Sequence, residues 1–289
     1  KNIKIILIFS LIIFSILSFH NFVAAESSKG DEILTKEEQN APSKEFKSEN
    51  NNSNTNTAIM ARAASADTTY TEGYYEYRIE ENYRITTVNV SNIITSDRRE
   101  DVAVITKYTG NESTVTIPKT LGGKRVYIID FGAFYQNTSI KKLIIPDNTV
   151  GYISNGAFAD CTNLSEVTLG NCVKNISYYA FQHTAITSIK LPASLEAIFN
   201  TAFFECEKLT SITIDSKNEH FKVIDNVIYE LYADGTMDMI LYPYAKNTKS
   251  FTVPDKVKSI KYEAIINNYV ETINIPASVN DIELDTYAF

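Results

Sequence analysis

The 289-residue chain has no Trp, three Cys, three His and ten Gly, and these shortages close off several kinds of chemistry. His20 directly follows an apolar N-terminal run and is expected to be removed with it as part of a signal peptide, which leaves His183 and His220. Neither has a Cys or carboxylate at a metal-type or triad-type spacing that recurs along the chain, so no metal centre and no catalytic triad is expected. His183 reads as an exposed polar residue in a turn whose counterparts are Asn137, Asp160 and Glu205. Gly122-Gly123 is not followed by a Lys-Ser/Thr pair opening a helix, which excludes a phosphate-binding loop. Asp225, Asp234 and Asp238 surround a hairpin and do not have the spacing of a twelve-residue calcium loop. Basic residues are outnumbered, 27 Lys+Arg against 35 Asp+Glu, for a net charge of −8. That balance repels phosphate backbones and anionic lipid, so a nucleic-acid partner is not expected.

What the chain does have is a repeat. Ile153 is followed four residues on by Ala157-Phe158, then by Cys161, Leu164 and an alternating Val167-x-Leu169. Ile129 leads in the same way to Ala133-Phe134, Ile140, Leu143 and Ile145-Pro146. Ile176 leads to Ala180-Phe181, Ile186, Ile189 and Leu191-Pro192, and Ile198 leads to Ala202-Phe203, Cys206, Leu209, Ile212 and Ile214. The leading isoleucines stand 24, 23 and 22 residues apart. A fixed period of this kind marks a stacked-repeat protein. A unit of that size cannot bury its own apolar residues, so each coil must lie on the next. It is also too short for two helices, and the V-x-L alternation places side chains on opposite faces of a strand. Each coil is therefore expected to hold a short strand (residues 143–145, 167–169, 189–191 and 212–214), a corner, a second extended piece and a short helical turn at Ala-Phe. The recurring Pro118, Pro146, Pro192, Pro254 and Pro276 suit a strand that must stop, because Pro has no N–H to give the ladder.

The pattern I-x-x-x-A-F-x-x-C-x-x-L-x-x-I-x-I-P-x-x-V-x-x-I, over residues 101–289, resembles the BspA-type leucine-rich repeat of bacterial surface proteins. The resemblance implies a right-handed superhelical solenoid, mostly β with short helical turns, together with extracellular display and adhesion or protein binding. It implies no catalytic residue and no cofactor. The last units depart from the pattern: Ala264-Ile265 replaces Ala-Phe, Asn268 stands where Cys161 and Cys206 stand, and Ile282 precedes Ala288-Phe289 by six residues.

Taken in order, Lys1 and Lys4 precede an apolar run over residues 5–19, and Val23-Ala24-Ala25 supplies small residues at a cleavage site. Residues 1–25 are thus expected to be a signal peptide cleaved after Ala25, with secretion or cell-surface display to follow; an uncleaved anchor is the alternative, but it needs a longer run. Residues 26–69 are rich in Ser, Asn, Lys and Glu and read as a disordered polar linker. Residues 70–112 alternate as strands do and are expected to form a β-rich N-terminal cap, with a small separate β domain as the alternative. Residues 113–289 form the solenoid. Its period breaks at about 216–248, where an insert is expected to form two strands about an Asp234-Gly235 turn. The start at Lys1 and the stop within a repeat lead to the expectation that these residues are the N-terminal part of a longer protein.

The cysteines read as unpaired, mainly buried thiols. Cys161 and Cys206 hold the same position two coils apart, and coils about 4.8 Å apart would separate them by roughly 10 Å, beyond the reach of a disulfide. Function is expected on the strand face. Its outward residues should align in two rows, Lys142, Glu166, Ser188, Ser211 and Thr272 beside Ile144, Thr168, Lys190, Thr213, Thr252 and Asn274. The rows carry no aromatic ring and mixed charge, which disfavours sugars and polyions and favours another protein: a host surface, matrix or neighbouring cell. The expected state is a non-enzymatic monomer, with residues 223–242 as a rival site. The alternative is a targeting module for a peptidase or cell-wall hydrolase domain beyond residue 289.

Overall fold

The structure, a computed structural model, describes residues 3–6, 68–88, 94–265 and 269–282. Apart from residues 3–6, the expected signal peptide and the expected polar linker up to residue 67 lie outside the described residues, as does the Ala288-Phe289 pair. Residues 3–6 form a strand, β1 (Ile3–Ile6), antiparallel to the strand over Thr272–Ile275. An N-terminal ribbon follows: β2 (Tyr70–Glu72), β3 (Tyr75–Val88) and β4 (Ile94–Tyr108). The coils then run β5 (Thr114–Thr116), β6 (Thr120–Leu121), β7 (Lys124–Ile129), β8 (Lys142–Ile144), β9 (Tyr152–Ile153), β10 (Glu166–Thr168) and β11 (Asn175–Ile176). They continue with β12 (Ser188–Leu191), β13 (Ala197–Ile198), β14 (Ser211–Ile214), β15 (Phe221–Ile224), β16 (Val227–Leu231) and β17 (Met237–Leu241). The last are β18 (Ser250–Thr252), β19 (Val257–Ile260), β20 (Thr272–Ile275) and β21 (Asp281–Ile282).

Each coil gives one strand to each of two parallel faces. Ile129, Ile153, Ile176 and Ile198 pair in register on β7, β9, β11 and β13, so the leading isoleucines stack directly. On the other face the strands start one residue earlier than the alternation alone suggests, because Lys142 and Glu166 already donate backbone hydrogen bonds to Ser113 and Lys141.

The short helical turn expected at Ala-Phe does not form; no described residue is helical. The hydrogen bonds give the reason. Ala157, Ala159 and Cys161 donate back to Ser154, Gly156 and Phe158 within their own corner, but the intervening Phe158 and Asp160 donate outward to Ala180 and Gln182 of the next coil, at 2.8 and 3.0 Å. Alternate N–H groups are therefore committed between coils, and a helix would need all of them within one segment. The same alternation recurs with Phe134 to Ala157 and Phe181 to Ala202.

Burial follows the repeat. Phe134, Phe158, Phe181 and Phe203 form one column with ring centroids 4.7, 5.3 and 5.5 Å apart, and Tyr108 of β4 closes its near end at 4.8 Å from Phe134. Beyond Phe203 the column stops, and Tyr242 takes up the corner position, donating its N–H to Ala264. Ala264 and Ile265, the departure from Ala-Phe, are both buried there.

The insert is not one hairpin but three antiparallel strands, β15, β16 and β17. The stretch before the Asp234-Gly235 turn is not one strand but is split by Asp225-Asn226, both in the left-handed region at φ 51° and 65°. Such a two-residue turn suits the twist of its flanking strands, and Asp and Asn tolerate that conformation. Every residue of β17 is buried, as is normal for a strand covered on both faces. Ile240 and Leu241 face the core of the regular coils, whereas Met237 and Met239 face a second core around Val253, Ile273 and Ile275. The insert thus partitions the array.

At the N-terminal end, β4 pairs in parallel with β7, and Val102, Ala103, Val104 and Ile105 are fully buried. The far half of the β3–β4 ribbon turns over the outside of the face formed by β7, β9, β11 and β13. There Tyr83 meets Tyr127 and Tyr152 edge-on, and Lys174 donates to the Thr86 carbonyl at 2.7 Å and pairs with Glu196 at 2.7 Å. Arg125 covers the Tyr127 ring from 4.4 Å, and Gly151 leaves room for that ring, since a Cβ at Gly151 would overlap it.

Candidate interaction surface

The outward rows expected on the strand face do align, but within three separate sheets. Lys142 pairs with Glu166 and Ile144 with Thr168 on β8 and β10; Ser188 pairs with Ser211 and Lys190 with Thr213 on β12 and β14; Ser250 pairs with Thr272 and Thr252 with Asn274 on β18 and β20. The face is therefore not one uninterrupted ladder. The first gap has a source in the sequence: Phe181 lies eight residues before Ile189, whereas Phe134, Phe158 and Phe203 lie nine before Leu143, Val167 and Ile212. One residue fewer in that corner brings β12 out of ladder register with β10. The second gap lies between β14 and β18, where the three-stranded insert intervenes in the chain and pairs onward with β19 rather than with either of those strands.

The side chains on this face engage one another only weakly. Lys142 Nζ lies 2.8 Å from Glu166 Oε2 in the open, and an exposed pair of this kind contributes about 0–1 kcal/mol. Asn274 Nδ2 donates to Thr252 Oγ1 at 3.2 Å. Thr168, Lys190, Thr213 and Thr252 are exposed, while Lys142, Ile144, Ser211, Thr272 and Asn274 are partly covered by their neighbours. Thr114, Thr116 and Ser250 extend the rows and were absent from the sequence-based set; the V-x-I-P and F-x-V-P segments beside them were the available signal.

The aspartates of the insert do not converge. Asp234 accepts from Thr236 N and Oγ1 and pairs with Lys258 at 3.0 Å; the Thr236 hydroxyl and amide, then Lys258, hold its carboxyl down at about 2. Asp238 accepts from Tyr232 at 2.7 Å and pairs with Lys261 at 3.0 Å. Glu230 lies opposite Asp238 across the strands, and its carboxyl is raised by burial first and by Asp238 second. Among the described residues no group of three or more His, Cys, Asp and Glu could hold a metal ion.

Cys161 and Cys206 are buried, Cys172 is half-buried, and all three are free. The two buried thiols do more than fill space: Cys161 Sγ donates to the Phe134 carbonyl at 3.1 Å and Cys206 Sγ to the Phe181 carbonyl at 3.0 Å. In the units without Cys, Asn137 donates to Gly110 at 2.9 Å and Thr184 to Phe181 at 3.0 Å. This corner position thus requires a compact donor for a buried carbonyl, which explains Asn, Cys and Thr at one place in the repeat. Burial pushes the Cys161 and Cys206 thiols up to about 12 and about 11, away from reactive thiolate. The turn counterpart of His183 is Gln136 rather than Asn137: Gln136, Asp160, His183 and Glu205 all have φ between 52° and 58°. His183 Nδ1 lies 2.8 Å from Asp160 Oδ1 of the preceding coil.

The chain is similar to a leucine-rich cell surface protein from Faecalibacterium prausnitzii, at 23% identity over 78% of each chain with a TM-score of 0.37. It is similar to the pneumococcal vaccine antigen PcpA, at 17% identity over 76% of this chain and 67% of that one with a TM-score of 0.46. A leucine-rich repeat protein from Eubacterium ventriosum matches at 19% identity over 63% and 56% of the two chains, with a TM-score of 0.46. A search of curated proteins finds no significant match. The family model of the BspA-type leucine-rich repeat region matches six copies, over residues 127–229 and 238–289, and the chain belongs to that family.

Proposed function

We propose that this chain is exported and displayed outside a bacterial cell, where its solenoid binds another protein and acts as an adhesin; no catalysis is assigned to these residues. The observation that supports the reading is the strand face, on which β8 and β10, β12 and β14, and β18 and β20 present Lys142, Thr168, Lys190, Thr213 and Thr252 from three paired ladders. Its side chains are short, mixed in charge and only weakly paired among themselves, so contact with a protein surface would displace few strong interactions. Export rests on the charged start, apolar run and small residues of residues 1–25. The domain scheme carried by this reading is a removed leader (1–25), a linker (26–69), a cap (70–112) and the binding solenoid (113–289).

The test compares a face variant, K142E with K190E and T213E, against an insert variant with its tip recharged, A233K with D234K. Both are assayed for retention on immobilised fibronectin, collagen and host-cell monolayers, with circular dichroism as the fold control. Loss of retention in the face variant alone supports the proposal. Loss in the insert variant alone transfers the role to residues 223–242 and refutes the strand face.

A further inference from the structure

The repeat supplies its own control for what a corner needs. In the coil led by Ile153 the corresponding corner positions hold Ser154, Asn155, Gly156 and Ala159, so the corner folds without rings. The next two coils place Tyr178, Tyr179, Phe199 and Phe204 there. Tyr178 lies against Phe199 with centroids 3.9 Å apart, and Tyr179 meets Phe204 edge-on at 5.9 Å. Tyr178 is 37% exposed and the other three are only partly covered.

Backbone conformation sharpens the point. Tyr179 has φ 56°, at the corner position where the first two coils have Gly132 and Gly156 at 59° and 58°. A bulky side chain in the left-handed region is unfavourable, and residues held so are concentrated at functional sites. Glu263 occupies the equivalent position after Ile260, again left-handed at φ 52°. The Asn200 amide donates to the Tyr262 carbonyl, which brings that later corner beside the aromatic one. The Tyr179 phenol is raised to about 12, by burial first, then by the charge of Glu263, by Tyr178 and by Glu205. Glu205 directly follows Phe204, and Glu263 directly follows Tyr262, whose carbonyl accepts from Asn200, so a carboxylate stands beside the rings on each side.

We infer that this corner ridge, Tyr178, Tyr179, Phe199 and Phe204 flanked by Glu205 and Glu263, is a second interaction surface that takes a lysine- or arginine-bearing segment of a protein partner. Ring faces attract a cationic head group, and adjacent carboxylates complement its charge. The ridge is separate from the strand face, and the inference holds whether or not that face binds.

The probe is a fluorescein-labelled octalysine peptide followed by anisotropy against the whole chain. Y179G restores the residue used in the first two coils, so its melting temperature stays within about 3 °C of the parent. Y179G and F204A each weaken peptide binding by about tenfold or more, E263Q weakens it several-fold, and the exposed charge control E219Q leaves it unchanged. Three results overturn the inference. Y179G and F204A could bind as the parent does; E219Q could lose as much as E263Q, which would reduce the attraction to net charge; or the parent could bind neutral chitohexaose and not the peptide.

Discussion

Phe158 is the most demanding test of the stacked core. Its side chain is fully buried between Phe134 at 4.7 Å and Phe181 at 5.3 Å, the latter ring parallel within 4°. Removing a buried Phe side chain costs about 3–5 kcal/mol. Each stacked ring pair adds about 0.5–1.5 kcal/mol beyond its buried area, so with a partner on both sides F158A belongs in the upper half, at about 4–5 kcal/mol. At roughly 2–4 °C per kcal/mol, that lowers the melting temperature by about 8–20 °C. F158L keeps most of the apolar volume and loses only the ring contacts, at about 1–3 kcal/mol. Ile265→Ala empties the same corner position in a later coil, where the residue is buried but has no ring column; its cost is nearer about 2–3 kcal/mol. Urea unfolding followed by circular dichroism and tyrosine fluorescence gives all three values, the chain having no Trp to interfere. Equal losses at Phe158 and Ile265, or parental stability in F158L, would refute the column as the source of the difference.

Tyr127 is 1% exposed and its hydroxyl has no hydrogen-bond partner among the described residues, so Y127F should stabilise the chain by about 1 kcal/mol, and any loss in an unfolding titration contradicts this. In thiol labelling of the native chain, Cys172 should react first while Cys161 and Cys206 stay protected; under non-reducing denaturation three labels should appear, and fewer would mean a disulfide. Glu230 has a raised folded pKa, so the folded state holds its proton more tightly than the unfolded chain does, and stability from this group grows as pH falls from the folded value toward 4.5. At neutral pH its charge is destabilising: E230Q should therefore melt higher than the parent at pH 7.5, with the difference shrinking at pH 4.5, and a constant difference would sink the argument.

The sequence by itself determined the coil. Once Ile, Ala-Phe and Leu recur at fixed offsets within a period too short to bury them, only stacking removes them from water, and the register of Ile129, Ile153, Ile176 and Ile198 follows from that requirement. The candidate strand face was legible for the same reason, since alternation fixes which residues point out. Other features were decided only when coils met. The expected helical turn at Ala-Phe is absent because Phe158 and Asp160 give their N–H groups to the next coil, a choice invisible within one repeat. The rows broke at β12 because one missing corner residue matters only against a neighbouring ladder. The shared place of Asn137, Cys161, Thr184 and Cys206 became intelligible when each was seen to donate to a buried carbonyl. The ridge of Tyr179 and Glu263 joins residues 84 positions apart, and no local pattern encodes that meeting. Periodicity is a property of one coil, whereas hydrogen-bond partners and side-chain neighbours belong to the contact between two, and that contact forms only in the folded stack.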